Sequence, residues 1–280
     1  MSGVVRLFSN ITPDKLVKRV LLETGQEKKE NVDPNPILEF LKLKYFPIDI
    51  SELPPDELEL SPTDPFMALF YYPEKVLATD YSLSDERRKF SIFHEIAHYL
   101  LPEHQDTFFL CFESDMSEKS AYVWEQQANQ FAADLMFHAD LFTRMSNEMP
   151  ICANTIKELA VKFGASFEAT ARRLAEKNLR QCLLVIYDKK PQSIPSDNPL
   201  PLWDVKYSVP SPSFRYKMSD DPMNPIVAKL GSAQFRDIAD SIADESECNL
   251  PDGRTIRFHD EYFTNSYNVF RIMIPQETID

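Results

Sequence analysis

The sequence lacks any apolar run long enough to cross a membrane, which takes roughly 18 residues or more. Its first residues, MSGVVRLFSNITPDK, also lack the basic start and long apolar stretch of a secretory signal. Glycine is rare, with 5 residues among 280, whereas proline is common, with 21. The prolines cluster in LPPDELELSPTDP and KKPQSIPSDNPLP, which are typical of loops and linkers. We therefore expect a cytoplasmic protein of two or three small domains.

Paired cysteines and an excess of positive charge are missing as well. The four cysteines are widely spaced and form no CxxC pair, so we expect reduced structural thiols rather than disulfides or a cysteine zinc site. The formal net charge is -14, which disfavours nucleic acid and anionic membranes as main partners. The cysteines are Cys111, Cys152, Cys182 and Cys248.

Apolar periodicity predicts a mixed α+β chain. FPIDISEL, FMALFYY and KVLATDY have the composition of strands, and the last two flank Pro73-Glu74 and predict a β-hairpin. Apolar residues at helical spacing predict four helices, followed by two shorter ones about Gly164. The helical segments are residues 13–24, 36–45, 84–101 and 117–142, and then the two helices within residues 154–178.

After Leu179 the pattern changes to that of strands. CLLVIYD, WDVKYSV, TIRF and YNVFRIMI each predict a strand, whereas residues 233–243 predict one helix. We place a boundary near Asn178 and a linker at residues 189–201.

The segment FSIFHEIAHYLL contains a metal-binding pattern. His94 and His98 are four residues apart, so on an α-helix they project from one face and can reach one ion. Zinc accepts imidazole nitrogen and prefers four ligands. Glu95 follows the first histidine, so its carboxylate could accept a proton from a water that the metal activates. The pattern predicts a zinc centre with Glu95 as catalytic base.

Two residues compete for the role of third ligand, and His104 is the first. It lies six residues after His98, at the spacing of the metzincin pattern HExxHxxGxxH. That pattern has glycine where this sequence has Leu101, and Pro102 pushes Leu101 toward extended geometry. We therefore expect the helix to end at Leu101 and His104 to be a solvent-facing loop histidine.

Glu125 is the favoured candidate. It lies near the start of the predicted helix WEQQANQFAADL, as in thermolysin-type sites that combine two histidines with a glutamate from a following helix. Asn129 follows four residues later on the same face and could hydrogen-bond the free ring nitrogen of a ligand histidine. The alternative is that Glu125 is an ordinary solvated helix residue.

Together, RRKFSIFHEIAHYLL and EQQANQFAADLMF resemble the ImmA/IrrE family of metallopeptidases, whose patterns are approximately RFTxAHExGHxLLH and ExxANxFAAxLLMP. The resemblance covers about residues 66–178. It departs at Ala97, where the family usually has glycine, and at Phe137-His138, where it usually has Met-Pro. The matching residues are Arg88, Phe90, His94, Glu95, His98, Leu100, Leu101, Glu125, Ala128, Asn129, Phe131, Ala132 and Leu135.

The resemblance implies a thermolysin-like (gluzincin-type) minimal peptidase fold. It also implies His94, His98 and Glu125 as Zn²⁺ ligands, with Glu95 as the catalytic base. Members of the family typically cleave a helix-turn-helix repressor and so switch on phage, mobile-element or stress-response genes. Longer members carry a helix-turn-helix segment and then a GAF-like sensor domain. The corresponding parts of this chain would be residues 1–150 (zinc metallopeptidase domain), 151–180 (helix-turn-helix-like segment) and 181–280 (an α+β GAF-like or partner-binding domain).

A second hypothesis concerns the helix-turn-helix-like segment. Six basic and three acidic residues between Thr155 and Arg180 give a local excess of +3, which could contact phosphates. Because the whole chain is acidic, we favour a packing or substrate-docking module. The alternative function is a non-proteolytic DNA- or protein-binding regulator that uses the zinc fold as a scaffold, with Arg172 and Arg173 essential.

The residue that would stabilise the oxyanion of a peptidase is left open. Tyr99 and Tyr122 are both candidates, the latter because it lies three residues before Glu125 on the same predicted helical face.

Overall fold

The structure is a computed structural model, and it describes residues 12–49, 65–101, 104, 108–115, 123–138, 140–189, 202–216, 233–234, 241–249 and 255–276. Within these residues the chain forms seven helices and two β-sheets, which confirms the predicted mixed α+β class. The chain divides into two compact units. The first contains Met1–Phe142 and Val161–Ser166, and the second contains Thr143–Ala160 and Phe167–Asp280. The three-part division drawn from the sequence stays a prediction.

Two short helices begin the first unit. Helix α1, Pro13–Glu23, starts after Thr12 with proline at its first position and buries four apolar residues along one face. Helix α2, Pro34–Leu41, is capped by the Asp33 side chain, which accepts a hydrogen bond from the Asn35 N–H. The predicted second helix, residues 36–45, extends past the observed end of α2 at Leu41. Lys42 takes a left-handed conformation with φ 58°, and the next strand begins directly afterwards.

A four-stranded sheet follows in the order β1-β3-β2-β4, with β1 parallel to β3 and the other pairs antiparallel. The predicted hairpin is confirmed, because the two apolar runs around Pro73-Glu74 pair as β2 and β3. The last strand was not predicted, because FFLCF is a short apolar run without alternation. The strands are β1 Lys44–Ile48, β2 Phe66–Tyr71, β3 Val76–Asp80 and β4 Phe108–Phe112.

Helices α3, Asp85–Leu100, and α4, Val123–Met136, pack against each other, and α3 also covers β2 and β3. Every residue of α3 from Ser91 to Leu100 is buried. The predicted helix over residues 117–142 ends earlier, at Met136. The chain turns at His138, which has φ 48°, before a separate helix α5, Asp140–Glu148.

The rare glycine at 164 has a physical reason. Gly164 has φ +59°, and a Cβ at this position would meet Asn31 Oδ1 at 2.7 Å. The Lys89 ammonium of α3 donates to the same Asn31 oxygen at 2.7 Å and to the carbonyl of Phe163 at 2.7 Å. Burial lowers the pKa of Lys89 to about 8. These bonds fasten α3 to its neighbours within the first unit.

Helix α6, Ala153–Phe163, lies in the second unit as far as Ala160, and helix α7, Phe167–Lys177, lies in it entirely. The second unit also contains a six-stranded antiparallel sheet in the order β7-β6-β5-β10-β9-β8. The strand prediction for CLLVIYD, WDVKYSV, TIRF and YNVFRIMI is confirmed. The predicted helix over residues 233–243 is wrong at both ends, because Ala233–Gln234 pair with β6 and Ile242 starts an exposed edge strand that pairs with β9. Residues 235–240 lie outside the described residues. The strands are β5 Leu183–Lys189, β6 Leu202–Pro210, β7 Ala233–Gln234, β8 Ile242–Asn249, β9 Thr255–Thr264 and β10 Asn268–Pro275.

Helix α7 packs on this sheet, whereas a helix that reads DNA needs a face free to enter the groove. The Phe167 ring lies 5.5 Å from Phe263 and 5.2 Å from Phe270 between centroids. The Arg173 side chain is buried, and Arg172 Nε lies 2.7 Å from the Glu176 carboxylate. The two arginines on which the DNA-binding hypothesis rests are thus engaged inside the unit, which favours the packing module.

The other face of the sheet buries an ion pair in an apolar core. Arg271 Nη2 donates to Asp260 Oδ2 at 2.8 Å, and the two side chains are 7% and 0% exposed. The surrounding core residues include Val185, Tyr187 and Trp203.

Removing one partner of this pair should destabilise the second unit strongly. In Arg271→Met a buried Asp260 carboxylate loses its counter-charge, so we expect a loss of about 3–5 kcal/mol of unfolding free energy. The measurement is urea unfolding of the full chain followed by tryptophan fluorescence, since Trp203 lies in this core. Arg257→Met is the matched control, because the Arg257–Glu247 pair on the same sheet is about half exposed and should contribute less than about 1 kcal/mol. Equal losses in the two variants would contradict a special role for the buried pair.

Candidate metal centre

Two helices bring three ligand-type atoms to one point inside the first unit. His94 and His98 lie one turn apart on α3 and are fully buried, and Glu125 lies in the first turn of α4. The Nε2 atoms of the two histidines are 3.0 Å apart. Glu125 Oε2 is 3.0 Å from His94 Nε2 and 3.4 Å from His98 Nε2.

The spacing of these atoms suits a tetrahedral metal ion. With zinc–ligand distances of about 2.0–2.1 Å, neighbouring ligand atoms around zinc lie roughly 3.3–3.4 Å apart. Although Glu125 Oε2 is close to both rings, it is buried and has no partner in hydrogen-bonding geometry among the described residues. A buried acceptor without a donor is costly unless a cation satisfies it. Two imidazoles and a carboxylate are a donor set that zinc takes, so the residues fit the ion.

Asn129 orients the first histidine from behind. Its Nδ2 donates to the Asp115 carbonyl at 2.9 Å, so its Oδ1 faces the ring and accepts from His94 Nδ1 at 3.0 Å. With the proton on Nδ1, the lone pair of Nε2 is directed toward the centre.

His104 is placed differently from the sequence expectation. The helix ends before Leu101, which is extended at φ -77° and ψ 121°, as the following proline suggested. However, the expectation of a solvent-facing histidine is wrong, because His104 is 2% exposed. Its Nδ1 lies 3.1 Å from His98 Nδ1, and its Nε2 lies 2.9 Å from Gln127 Oε1. His104 therefore contacts the rear nitrogen of His98 and not the convergent ligand atoms.

The contacts of His104 also fix the tautomer of His98. If Nε2 of His98 presents its lone pair to the centre, its Nδ1–H donates to His104, whose Nε2–H donates to Gln127. Each ligand histidine thus has a partner on its other nitrogen, Asn129 for one and His104 for the other. Because Gln127 lies far from His98 in the sequence, the spacing of residues along the chain did not predict this arrangement.

Glu95 is buried beside the centre with its carboxylate unsatisfied. The side chain is 0% exposed, and neither carboxylate oxygen has a hydrogen bond to any part of the chain that the structure describes. Burial raises its pKa to about 7, although the neighbouring His94 and Cys111 act in the opposite direction. A carboxylate with such a pKa can both take up and release a proton near neutral pH.

Cys111 is a residue of the centre that the sequence argument missed. It is fully buried on β4, and its Sγ lies 4.0 Å from His98 Nε2. Its ligand atom and those of His94, His98 and Glu125 all lie within 4.8 Å of one another. In the sequence, Cys111 is part of the apolar run FFLCF, and this run alone does not indicate which way the cysteine side chain points. The expectation that all four cysteines are structural thiols therefore did not include a contact between Cys111 and His98.

The charges inside the centre compensate one another in part. Burial would raise the pKa of Glu125, but its contacts with His94 and His98 outweigh burial and lower the pKa to about 2. Burial lowers the pKa of His98 to about 4. For His94 burial also acts downward, yet the Glu125 and Glu95 carboxylates raise its pKa overall. The Glu125 carboxylate is therefore held ionised beside the two rings, as a carboxylate that binds a cation must be.

The structure describes one of the two oxyanion candidates. Tyr99 is buried, and its ring lies 5.7 Å from that of Phe70 and 5.6 Å from that of Tyr72 between centroids. It belongs to an aromatic cluster against β2. Tyr122 lies outside the described residues.

Comparisons with known proteins give a family match for part of the chain and solved structures of similar fold. Residues 44–175 match the family model described as Peptidase_M78, the IrrE N-terminal-like domain. No curated protein sequence matches the chain. A solved Mycobacterium tuberculosis transcriptional regulator is similar in fold, with a TM-score of 0.53 at 13% identity. That alignment covers 97% of this chain and 80% of the regulator, and it shows a shared fold alone. No helix among the described residues is both long and apolar enough to span a bilayer.

The geometry predicts that Glu125 and His104 differ in their effect on metal content. Glu125→Ala removes one of three convergent ligand atoms, so we expect the purified variant to lose zinc on dialysis. His104→Ala removes only a support of His98, so we expect it to retain zinc with an affinity lower by about 10–100-fold. Metal analysis of the dialysed proteins measures both, with Gln130→Ala on the exposed side of α4 as control. Zinc lost in His104→Ala but kept in Glu125→Ala would overturn the ligand assignment.

The burial of Glu95 predicts a pH-dependent stability of the metal-free protein. Because the pKa rises from 4.5 to about 7 on folding, the folded protein keeps a proton that the unfolded chain has lost. The unfolding free energy that this bound proton contributes is lost as the pH rises through about 7. Glu95→Gln stays neutral, so its advantage in unfolding free energy over the wild type should grow by on the order of 1 kcal/mol from pH 6 to pH 8.

Denaturant unfolding in the presence of a chelator measures this difference. Glu39→Gln is the control, because Glu39 is an exposed glutamate on α2, outside the centre. If the Glu95→Gln difference is the same at both pH values, Glu95 is not a buried carboxylate without a partner.

Proposed function

Because residues 44–175 of the chain belong to the ImmA/IrrE peptidase family, we propose that this protein is a zinc-dependent endopeptidase that cleaves a regulatory protein. The observation that carries the proposal is the convergence of His94, His98 and Glu125 on one point, with the carboxylate of Glu95 buried beside it. Helices α3 and α4 supply all four of these side chains, so the packing of the two helices brings them together.

The residues have distinct roles in this proposal. His94, His98 and Glu125 hold the ion, while Asn129 and His104 hold the two rings in place from behind. Zinc supplies a Lewis acid that polarises the scissile carbonyl and activates water. The carboxylate of Glu95 takes a proton from the attacking water and later delivers it to the leaving amine. The group must be deprotonated for the first step and protonated for the second.

The proposed substrate is a helix-turn-helix repressor, whose cleavage would switch gene expression in a stress response or a mobile element. This follows from the family, and the transcriptional regulator of similar fold is in keeping with it. We further propose that residues 1–150 form the peptidase domain, residues 151–180 a packing or docking module, and residues 181–280 a sensor or partner-binding domain in a cytoplasmic protein.

The alternative is a regulator in which the zinc fold serves only as a scaffold. The name of the structural neighbour favours it, whereas the burial of Arg173 and the pairing of Arg172 with Glu176 argue against DNA contact through α7. In that case Glu95→Gln would leave the biological effect intact, and changes at Arg172 and Arg173 would abolish it.

Glu95→Gln tests the peptidase proposal directly. The substrate to try is a small helix-turn-helix repressor encoded by a neighbouring gene, incubated with the zinc-loaded protein and followed by mass spectrometry. We expect the variant to keep its zinc and to cleave about 10²–10⁴-fold more slowly, since it loses only the proton-transferring group. Glu39→Gln should cleave like the wild type. Cleavage that persists unchanged in Glu95→Gln would exclude this mechanism.

A further inference from the structure

We propose that Cys111 is a fourth protein ligand of the metal, so that its sulfur closes the site in the resting protein and must leave before a substrate can be cleaved. The inference rests on the proposed zinc centre, and it adds a regulatory ligand to that centre. A catalytic zinc site keeps one position open for water or substrate, whereas a site with four protein ligands is closed. His94, His98 and Glu125 leave one position open, and Cys111 is the side chain that can fill it.

The position of the sulfur supports this assignment. Cys111 Sγ is 4.0 Å from His98 Nε2. In a zinc site, bond lengths of about 2.3 Å to sulfur and 2.0–2.1 Å to nitrogen place these atoms roughly 3.5–3.6 Å apart. The sulfur is thus about half an ångström beyond ligand spacing from His98, and it lies within 4.8 Å of the other two ligand atoms, so a side-chain rotation toward the centre would complete the set. All four ligand atoms lie within 4.8 Å of one another.

The backbone keeps Cys111 in this place. The residue lies on β4, opposite Ala68 of β2, and it is fully buried. A strand paired in a sheet holds its Cβ direction, so the thiol cannot swing far from the centre. Cys111 is therefore not a mobile surface thiol that meets the metal by chance.

The neighbouring carboxylates give a second reason. Both oxygens of Glu95 and the Oε2 atom of Glu125 are buried without hydrogen-bond partners among the described residues, so the cavity around the sulfur contains unsatisfied acceptors. When the sulfur binds the metal, its S–H bond breaks, the electron pair stays on sulfur and the proton is released to solvent.

This closure predicts a latent peptidase. With the sulfur bound, the open position is filled, so neither water nor a peptide carbonyl can enter. A substrate that displaces the sulfur frees that position, and the sulfur takes a proton back from solvent. Removing the sulfur should therefore speed cleavage, which no purely structural thiol would do.

Cobalt substitution tests the ligand directly in the full chain. Cobalt bound to thiolate gives an intense near-ultraviolet charge-transfer band, whereas cobalt bound by nitrogen and oxygen alone does not. We expect the band in wild-type protein loaded with one cobalt per chain, and we expect it to be absent from Cys111→Ser, which should bind cobalt roughly tenfold or more weakly. Cys182→Ser should keep the band, because Cys182 is an equally buried thiol of the second unit.

Several outcomes would overturn the proposal. A wild-type cobalt protein without the band does so whether or not the Cys111→Ser variant folds, and so does a band that survives in a folded Cys111→Ser. If the wild type does not bind cobalt, the metal centre on which both this inference and the peptidase proposal rest is contradicted. A rate of cleavage that does not rise in zinc-loaded Cys111→Ser would refute closure.

The test separates this inference from the peptidase proposal. A band without any cleavage of the repressor would support the ligand and contradict the peptidase. Cleavage that depends on Glu95, together with no band, would leave the peptidase intact and remove Cys111 from the centre.

Discussion

The packing of helix α3 against helix α4 is the contact on which the rest of the first unit depends. It places the two imidazoles of one helix 3.0 Å apart and sets a carboxylate of the other helix at 3.0 and 3.4 Å from them. Every residue of α3 from Ser91 to Leu100 is buried, so the site cannot move without disturbing the core. The sheet behind α3 and the Lys89 bonds to Asn31 and Phe163 hold that helix in position. The metal-binding face is therefore a product of tertiary packing rather than of a flexible loop.

This arrangement places polar groups where an apolar core would be more stable. Two histidines, two glutamates and a cysteine share one buried volume, and three of the carboxylate oxygens have no hydrogen-bond partner within the described part of the chain. Each unsatisfied buried group costs on the order of 1–3 kcal/mol. A divalent cation would offset much of that cost, because it satisfies Glu125 and both Nε2 atoms at once. The buried groups that could bind a cation therefore make the metal-free fold less stable, so cation binding would be linked to folding.

Much of the local structure followed from the sequence, because helix caps, apolar periodicity and turn residues act over short distances. The start of α3 after Ser84, the hairpin of β2 and β3, and the paired helices about Gly164 all have such local causes. The errors occur where a tertiary contact overrides local preference. The helix predicted over residues 233–243 is replaced at its ends by strands, since Ala233–Gln234 pair with β6 and Ile242–Ala243 begin β8, which pairs along β9. The helix predicted to reach residue 142 stops at Met136, where His138 takes a left-handed backbone conformation.

The same distinction explains which members of the centre were identifiable beforehand. His94, His98 and Asn129 each occupy a spacing of four residues from a partner, so helical geometry alone indicates the face on which they lie. His104 and Cys111 have no such spacing, because one follows the end of the helix and the other comes from a strand across the sheet. Their proximity requires the strand β4, the returning chain at residue 104 and α4 to be placed together. The sequence could therefore predict an ion site with one open position, but only the assembled sheet reveals a thiol beside that position.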